Sequence, residues 1–319
     1  MSDNESAIRP GAYRFTVSEN CSGMRLDQFL AENSEVLTRG LARRLIDIGG
    51  VHLAGRRVRR CSSAVAAGDS VEVFVDNLPL EPIVLEPARI LYRDQDLIVL
   101  DKPPGMATQP TPARYQGTLY AELQTLLSGS GRKGQRPSIG MVQRLDRDTS
   151  GVMVFSIHQR AHKKMTDAFR DHDIDKIYWA LVAGRPQADA GIFCSQLARR
   201  RSTNLMVSVE RGGKPAETRY RLLQAMAQVS LVEIQLITGR SHQIRVHFSE
   251  AGLPLLGDGA YGGARIVDGV EVPRQMLHAR KLSFSHPVTG KKMTFTAPLP
   301  KDFETILQHV EGSLNGLEG

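Results

Sequence analysis

Apolar residues recur at helical spacing near the N-terminus and at strand spacing through most of the remaining chain. In Arg25-Leu-Asp-Gln-Phe-Leu30, Leu26, Phe29 and Leu30 share one face by i, i+3, i+4. Thr38 is placed to N-cap a second helix whose stripe is Leu41, Leu45 and Ile48, with Gly49-Gly50 as its stop. Val51-His-Leu53, Ala54-Gly55 and Arg56-Arg-Val58 read as a short hairpin, and Gly68-Asp69 leads into a strand from Val71 to Val75. Further on, strand-like runs fall at 97–100, 152–157, 177–183, 217–222, 231–237 and 293–296. A helix is expected over Ala161–Asp171, with Met165, Ala168 and Phe169 inward. Another starts near Ser241, with Ile244, Phe248 and Ala251 inward and Gly252 as its stop.

Strands with few, irregularly spaced helices predict an α+β protein, in which the larger domain carries a mixed, mainly antiparallel sheet with flanking helices. The expected organisation is a flexible leader over 1–12, a small module over 13–76 and a linker over 77–88. The linker is read from its three prolines and lack of periodicity. The larger domain then runs over 89–306, followed by a tail over 307–319 of no evident structure. Residues 128–138, rich in Gly and Ser, read as a flexible loop.

Composition narrows the function classes. With 41% hydrophobic and 24% charged residues the chain is of an ordinary globular type, and no stretch approaches the length of a membrane span. The polar N-terminus lacks a secretory h-region. Cys21, Cys61 and Cys194 are far apart and form no CxxC pair, so neither a disulfide framework nor a zinc site is expected. A reducing cytoplasm is the expected setting. A net charge of +7 favours an anionic partner.

That charge is not spread evenly. Between residues 39 and 60, seven arginines (Arg39, Arg43, Arg44, Arg56, Arg57, Arg59, Arg60) face one acid, Asp47. Guanidinium forks grip phosphate bidentately and stack on bases, so this one-signed cluster predicts RNA contact. The words Arg25-Leu-Asp-Gln-Phe-Leu30, Arg43-Arg44 and Gly50-Val-His-Leu-Ala-Gly-Arg56 resemble a family of small RNA-binding modules first described in a ribosomal protein. That match implies RNA contact and leaves the chemistry open.

Candidate chemistry concentrates in three segments. Gln143-Arg-Leu-Asp-Arg-Asp-Thr-Ser-Gly151 is a polar turn feeding the apolar strand at Val152, which would put a carboxylate at a sheet edge. In Lys176-Ile-Tyr-Trp-Ala-Leu-Val182, alternation turns Tyr178 away from Ile177 and Trp179. In Thr238-Gly-Arg-Ser-His-Gln-Ile-Arg-Val-His247, Arg245 sits beside the buried stripe, and Arg240 precedes the helix start, where backbone N–H groups favour an anion. His242 and His247 lack a third ligand nearby, so no metal is expected.

In order along the chain, these segments resemble the RluA-type pseudouridine synthases, which act on large-subunit ribosomal and transfer RNA. Leu100-Asp-Lys-Pro-Pro-Gly105, Gly257-Asp-Gly-Ala-Tyr-Gly262 and Leu277–Pro287 extend the resemblance over nearly the whole chain. It implies isomerisation of uridine by breaking N1–C1′ and rejoining the base through C5, with no cofactor. It assigns Asp146 as the catalytic carboxylate, Arg245 as its partner and Tyr178 as the tyrosine packed on the base. The target base must leave its stack; Arg144 is a candidate to fill the gap, and Lys102 to contact phosphate. The module tilts the expected substrate toward large-subunit ribosomal RNA over transfer RNA, and the protein is expected to act as a monomer with no membrane partner.

Three positions depart from the family pattern. Gln143 and Gln109 stand where histidine is usual, and Asp101 where asparagine is common. Losing both histidines suggests a linked change that bears on substrate choice. Two rival readings remain: a non-catalytic RNA-binding assembly factor, and a glycosidic hydrolase. The hydrolase would need a second carboxylate flanking the bond, for which Asp148 is the only sequence neighbour.

Overall fold

The computed structural model describes residues 8–128 and 137–315. Two compact units emerge: residues 1–85 with 106–136, and residues 86–105 with 137–319. Most of the segment read as a flexible loop, 129–136, lies outside the described residues.

The first unit carries β1 (Gly11–Thr16), α1 (Leu26–Glu32), α2 (Arg39–Ile48), β2 (Val51–Leu53), β3 (Arg56–Arg57) and β4 (Ser70–Val75). The four strands form one antiparallel sheet in the order β1-β4-β2-β3. Leu26, Phe29, Leu30, Leu41, Leu45 and Val73 belong to its core. The helix signals work as local chemistry dictates: Thr38 Oγ1 accepts the Leu41 N–H, and Gly49 ends α2 in the left-handed region. Ala54 and Gly55 both have positive φ, the turn a tight hairpin demands.

Two elements here differ from expectation. The leader gives way at Gly11 to β1, because Phe15 packs edge-on against Phe29 while β1 supplies β4 with a hydrogen-bonded neighbour. The helix Leu119–Ser128 (α3) was not expected; Leu119, Leu123 and Leu127 form its buried stripe, and Thr118 Oγ1 accepts the Ala121 N–H.

The second unit begins with β5 (Ile90–Arg93) and β6 (Leu97–Lys102), then continues with β7 (Gly140–Met141), β8 (Ser150–Ser156) and α4 (Gln159–Arg170). After these come β9 (Ile174–Ala183), β10 (Ala190–Arg199), β11 (Met206–Val209), β12 (Lys214–Ala225), β13 (Val229–Leu236) and α5 (Gln243–Glu250). The chain closes with the hairpin β14 (Ile266–Val267) and β15 (Val270–Glu271), then β16 (Leu277–Ser285), β17 (Lys292–Thr296) and α6 (Lys301–Asn315). One sheet runs β11-β10-β12-β13-β9-β16-β8-β6-β5, with β17 on β16 and β7 on β8. Its pairs are antiparallel except β8 with β16, so the architecture is α+β with a mixed sheet.

Residues read as a tail in fact belong to α6, where Phe303, Ile306 and Val310 join a core with Leu181, Leu256 and Met276. Residues 316–319 lie outside the described residues. In α4, Ala161 and Met165 are buried, while Ala168 and Phe169 are only half-buried. Ala251, expected inward, caps α5 and is exposed, because the helix has already turned off at that point. No described helix is long and apolar enough to cross a membrane.

Candidate active site

The junction of β8, β16 and β9 sets the site. Ala279 of β16 lies opposite Gly151 on one side and Tyr178 on the other. A side chain at residue 151 would collide with the Ala279 backbone: a Cβ would stand 2.3 Å from its carbonyl oxygen, and φ there is +117°. The glycine ending the polar turn is therefore required by close strand approach.

The turn before β8 is held through its backbone. Lys102 Nζ donates to the Arg147 carbonyl at 2.8 Å, and Arg274 Nη1 donates to the Asp148 carbonyl at 2.9 Å. Arg274 is itself fixed by Asp302 of α6 through two bonds. Beneath, Ser150 Oγ meets His278 Nδ1 at 2.9 Å, while His278 Nε2 faces the Ala297 carbonyl. The carbonyl can only accept, so Nε2 carries a proton. Burial, with nearby arginines, pulls the His278 pKa down to about 4, against the Ala297 hydrogen bond.

Lys102 corrects the sequence reading. Expected as a surface phosphate contact, it is 0% exposed and also donates to the Pro103 carbonyl. Burial lowers its pKa to about 7, with Asp148 opposing the shift. It grips the turn and does not face solvent.

Asp146 emerges from this turn half-buried. Arg245 Nη1 donates to its Oδ2 at 2.9 Å. The other edge of the same guanidinium is bonded to Asp258, Nε to Oδ2 at 2.6 Å and Nη2 to Oδ1 at 2.7 Å. One arginine thus bridges two carboxylates, and the bidentate pair with Asp258, 2% exposed, fixes the plane in which it meets Asp146. Burial works against the Arg245 charge, but Asp258 and Asp146 together raise its pKa above the usual value. Asp148 is taken up by Arg147 through two bonds of 2.9 Å.

Gln243 anchors the start of α5. Its Oε1 accepts from Thr238 Oγ1 and the Arg240 N–H, and its Nε2 donates to the Glu217 carbonyl and Thr218 Oγ1. His242 sits at the N-cap with φ +52°, a conformation rare outside glycine and asparagine. Tyr261 Oη accepts the Met206 N–H at 3.0 Å and meets His242 Nδ1 at 2.8 Å. His242 Nε2 is then left 3.9 Å from Asp146. Burial lowers the His242 pKa against the pull of Asp146. His247 is occupied between Ser195 and Thr218.

One pocket is lined by Asp146, Tyr178, Arg245, Arg144, Arg240 and His242. Tyr178 is buried, and burial with the neighbouring Asp146 charge raises its pKa, which keeps the phenol neutral. Arg144 is exposed at the pocket, whereas Arg240 is half-buried with Nε bonded to the Pro215 carbonyl. Gln143 Nε2 is buried with no hydrogen-bond partner among the described residues. Asp258 is the member that the sequence reading missed. Its Gly-Asp-Gly setting resembles a plain turn, but a Cβ at Gly257 would lie 1.8 Å from the Arg274 carbonyl, which signals a loop packed tightly for a purpose.

The remaining basic candidates belong to the first unit. Asp27, 0% exposed, is ringed by Arg25, Arg39 and Arg43 at 3.0, 3.2 and 3.4 Å. Arg39, Arg43, Arg56, Arg59 and Arg60 are exposed, and Arg44 pairs with Glu81 at 2.5 Å. Arg59 lies over the Tyr115 ring at 5.0 Å. Arg57 departs from expectation: it is half-buried and donates to the Thr111 carbonyl, because the hairpin turns it toward its own chain.

Comparison with known proteins shows the family. Residues 96–250 match the RNA pseudouridylate synthase family, and residues 24–71 match the S4 domain. An uncharacterized RNA pseudouridine synthase of Synechocystis is 37% identical, with 92% of this chain and 91% of that protein covered. A ribosomal large subunit pseudouridine synthase D of Zymomonas mobilis is 36% identical, covering 92% of this chain and 96% of its own. Among solved structures, human RNA Pseudouridylate Synthase Domain Containing 4 superposes with a TM-score of 0.60 at 27% identity, covering 70% of this chain and 93% of that one. A mixed-sheet domain with such a pocket, together with an S4 domain, defines an RNA-modifying isomerase. The chain belongs to the RNA pseudouridine synthases of the RluA type.

Proposed function

We propose that this synthase isomerises specific uridines of large-subunit ribosomal RNA, with Asp146 as the reacting carboxylate. The observation that carries the chemical part is the Asp146–Arg245–Asp258 bridge. A guanidinium locked from behind by Asp258 presents one fixed edge to Asp146 and favours its anion. Both routes open to that carboxylate, attack at C1′ and removal of the C2′ proton, require it ionised. The N1–C1′ bond then breaks, the uracil turns, and C5 bonds to C1′ as the carboxylate leaves C1′ or hands back the C2′ proton; the C5 proton goes to solvent and N1 takes one up. Tyr178 packs on the base as a neutral phenol, and Arg144 fills the space the flipped nucleotide vacates. Arg240 holds the strand entering the pocket. Arg39, Arg43, Arg44, Arg56, Arg59 and Arg60 make the sequence-independent phosphate contacts.

The ribosomal substrate is supported by relatives named as large-subunit synthases at 33% and 36% identity. The test uses large-subunit ribosomal RNA transcript carrying tritium at C5 of uridine, beside a transfer RNA transcript labelled alike. Release of tritium from the ribosomal transcript by the wild type, and none by Asp146→Asn, is the expected result. Release from transfer RNA alone would overturn the substrate, and release by Asp146→Asn would overturn the residue.

A further inference from the structure

Beside the Asp146 pocket runs a second, larger groove. Lys176, Asp175, Gln235, Leu236, Phe284 and Lys292 are among the residues that line it, drawn from the ends of β9, β13, β16 and β17. Leu236 lines both cavities, so the two adjoin. Lys176 and Tyr178 stand two residues apart on β9 and point to the same face.

Lys176 is the unusual feature. It is 7% exposed, and among the described residues its side chain makes one hydrogen bond, a long one of 3.5 Å to the Ile237 carbonyl. Buried ammonium groups are normally paired. The nearest acid, Asp175, is already bonded to Gln235 at 3.1 Å and faces Lys281 at 3.9 Å. The positive charge of Arg240 adds to the surplus instead of relieving it. Burial, then Arg240, hold the Lys176 pKa down to about 8, against Asp175. Lys292, exposed, also lines the groove and adds a further cation.

We infer that this groove is a second RNA seat, in which Lys176 takes a backbone phosphate of the strand next to the nucleotide held at Asp146. The inference rests on the proposed uridine-binding role of the Asp146 pocket. An entering phosphodiester supplies the missing counter-charge, and Lys292 adds positive charge to the same groove. Lys176 is then a residue for strand positioning, while Asp146 keeps the chemistry.

The test uses the full-length protein and a twelve-residue oligouridylate, so it reads binding and not turnover. Each phosphate neutralised on a single strand contributes about 0.7 to the slope of log affinity against log salt. Lys176→Met is expected to lower that slope by about 0.7, and Lys176→Arg to retain it. An unchanged slope in Lys176→Met would overturn the inference. A second readout needs no variant: the Lys176 pKa in wild type, followed by carbon-13 NMR of the lysine side chains. It should rise when oligouridylate is added, and rise less with inorganic phosphate at the same phosphate concentration. No rise with oligouridylate, or an equal rise with inorganic phosphate, would contradict a strand-binding seat. Failure of tritium release with these binding results intact would strike the proposed substrate and leave the groove.

Discussion

Arginine and aspartate form a clasp in both units, in inverted proportion. In the catalytic unit one guanidinium, Arg245, lies between two carboxylates, Asp146 and Asp258. In the S4 unit one carboxylate, Asp27, lies among three guanidinium groups, Arg25, Arg39 and Arg43. The first clasp carries one surplus negative charge, held on the half-buried Asp146. The second carries two surplus positive charges on side chains that are about half-exposed. Burying the minority charge fixes the geometry and leaves the majority charge accessible. Under the proposed mechanism the same pair of residue types serves an anion that reacts and cations that gather a polyanion.

The sharpest way to break this comparison is Arg245→Met. It strands Asp258 in the interior and should cost about 3–5 kcal/mol of unfolding free energy, read by denaturant titration. Turnover should fall at least about 1000-fold, equivalent to about 4 kcal/mol in the barrier. A stable, active variant would remove the clasp from the account. Acid separates the units next. Because the folded His278 pKa lies near 4 and the free imidazole titrates near 6.5, the unfolded chain binds more protons between those values. Stability of the catalytic unit should therefore fall by about 3 kcal/mol as pH drops from above 6.5 to about 4. The arginines hold the Asp27 pKa below the usual carboxylate value despite burial, so its contribution is lost only at pH below that range. Equal acid sensitivity of both units would contradict this order.

Asp258→Asn should act through positioning. The guanidinium keeps its bond to Asp146 but loses the charged fork behind it, and turnover should drop about 100-fold with KM little changed. A rise in KM alone would assign Asp258 to RNA binding instead. The smallest effect expected is Asp27→Asn, at about 1–2 kcal/mol of module stability, since the three arginines are already half-solvated. Calorimetry of the variant with unchanged tritium release from saturating RNA would show that the module clasp serves stability and capture, not chemistry.

Local signals were readable along the chain wherever one residue decides the geometry. Thr38 and Gly49 bound α2, and Ala54-Gly55 marks the hairpin. The polar turn ahead of an apolar strand exposed Asp146 to inspection. What escaped depends on distant packing. Lysine is almost never fully buried, so nothing in its own segment announced that Lys102 would be sealed under the turn. Asp258 finds Arg245 only because the loop through Gly257 packs against the Arg274 carbonyl. Strand β1 and helices α3 and α6 were passed over because their apolar positions are sparse until a partner surface completes them.

Under the proposed mechanism, chemistry falls to the Asp146 clasp of the catalytic unit and capture to the exposed arginines of the S4 unit, Arg56, Arg59 and Arg60 among them. The most direct test measures affinity for large-subunit ribosomal RNA transcript and single-turnover tritium release side by side. The variants are Asp146→Asn and the triple variant Arg56→Ala, Arg59→Ala, Arg60→Ala. The account predicts unchanged affinity and no release for the first, and for the second weakened, less salt-dependent binding with a normal rate at saturating RNA. Loss of affinity in Asp146→Asn, or a slow rate at saturation in the triple variant, would contradict it.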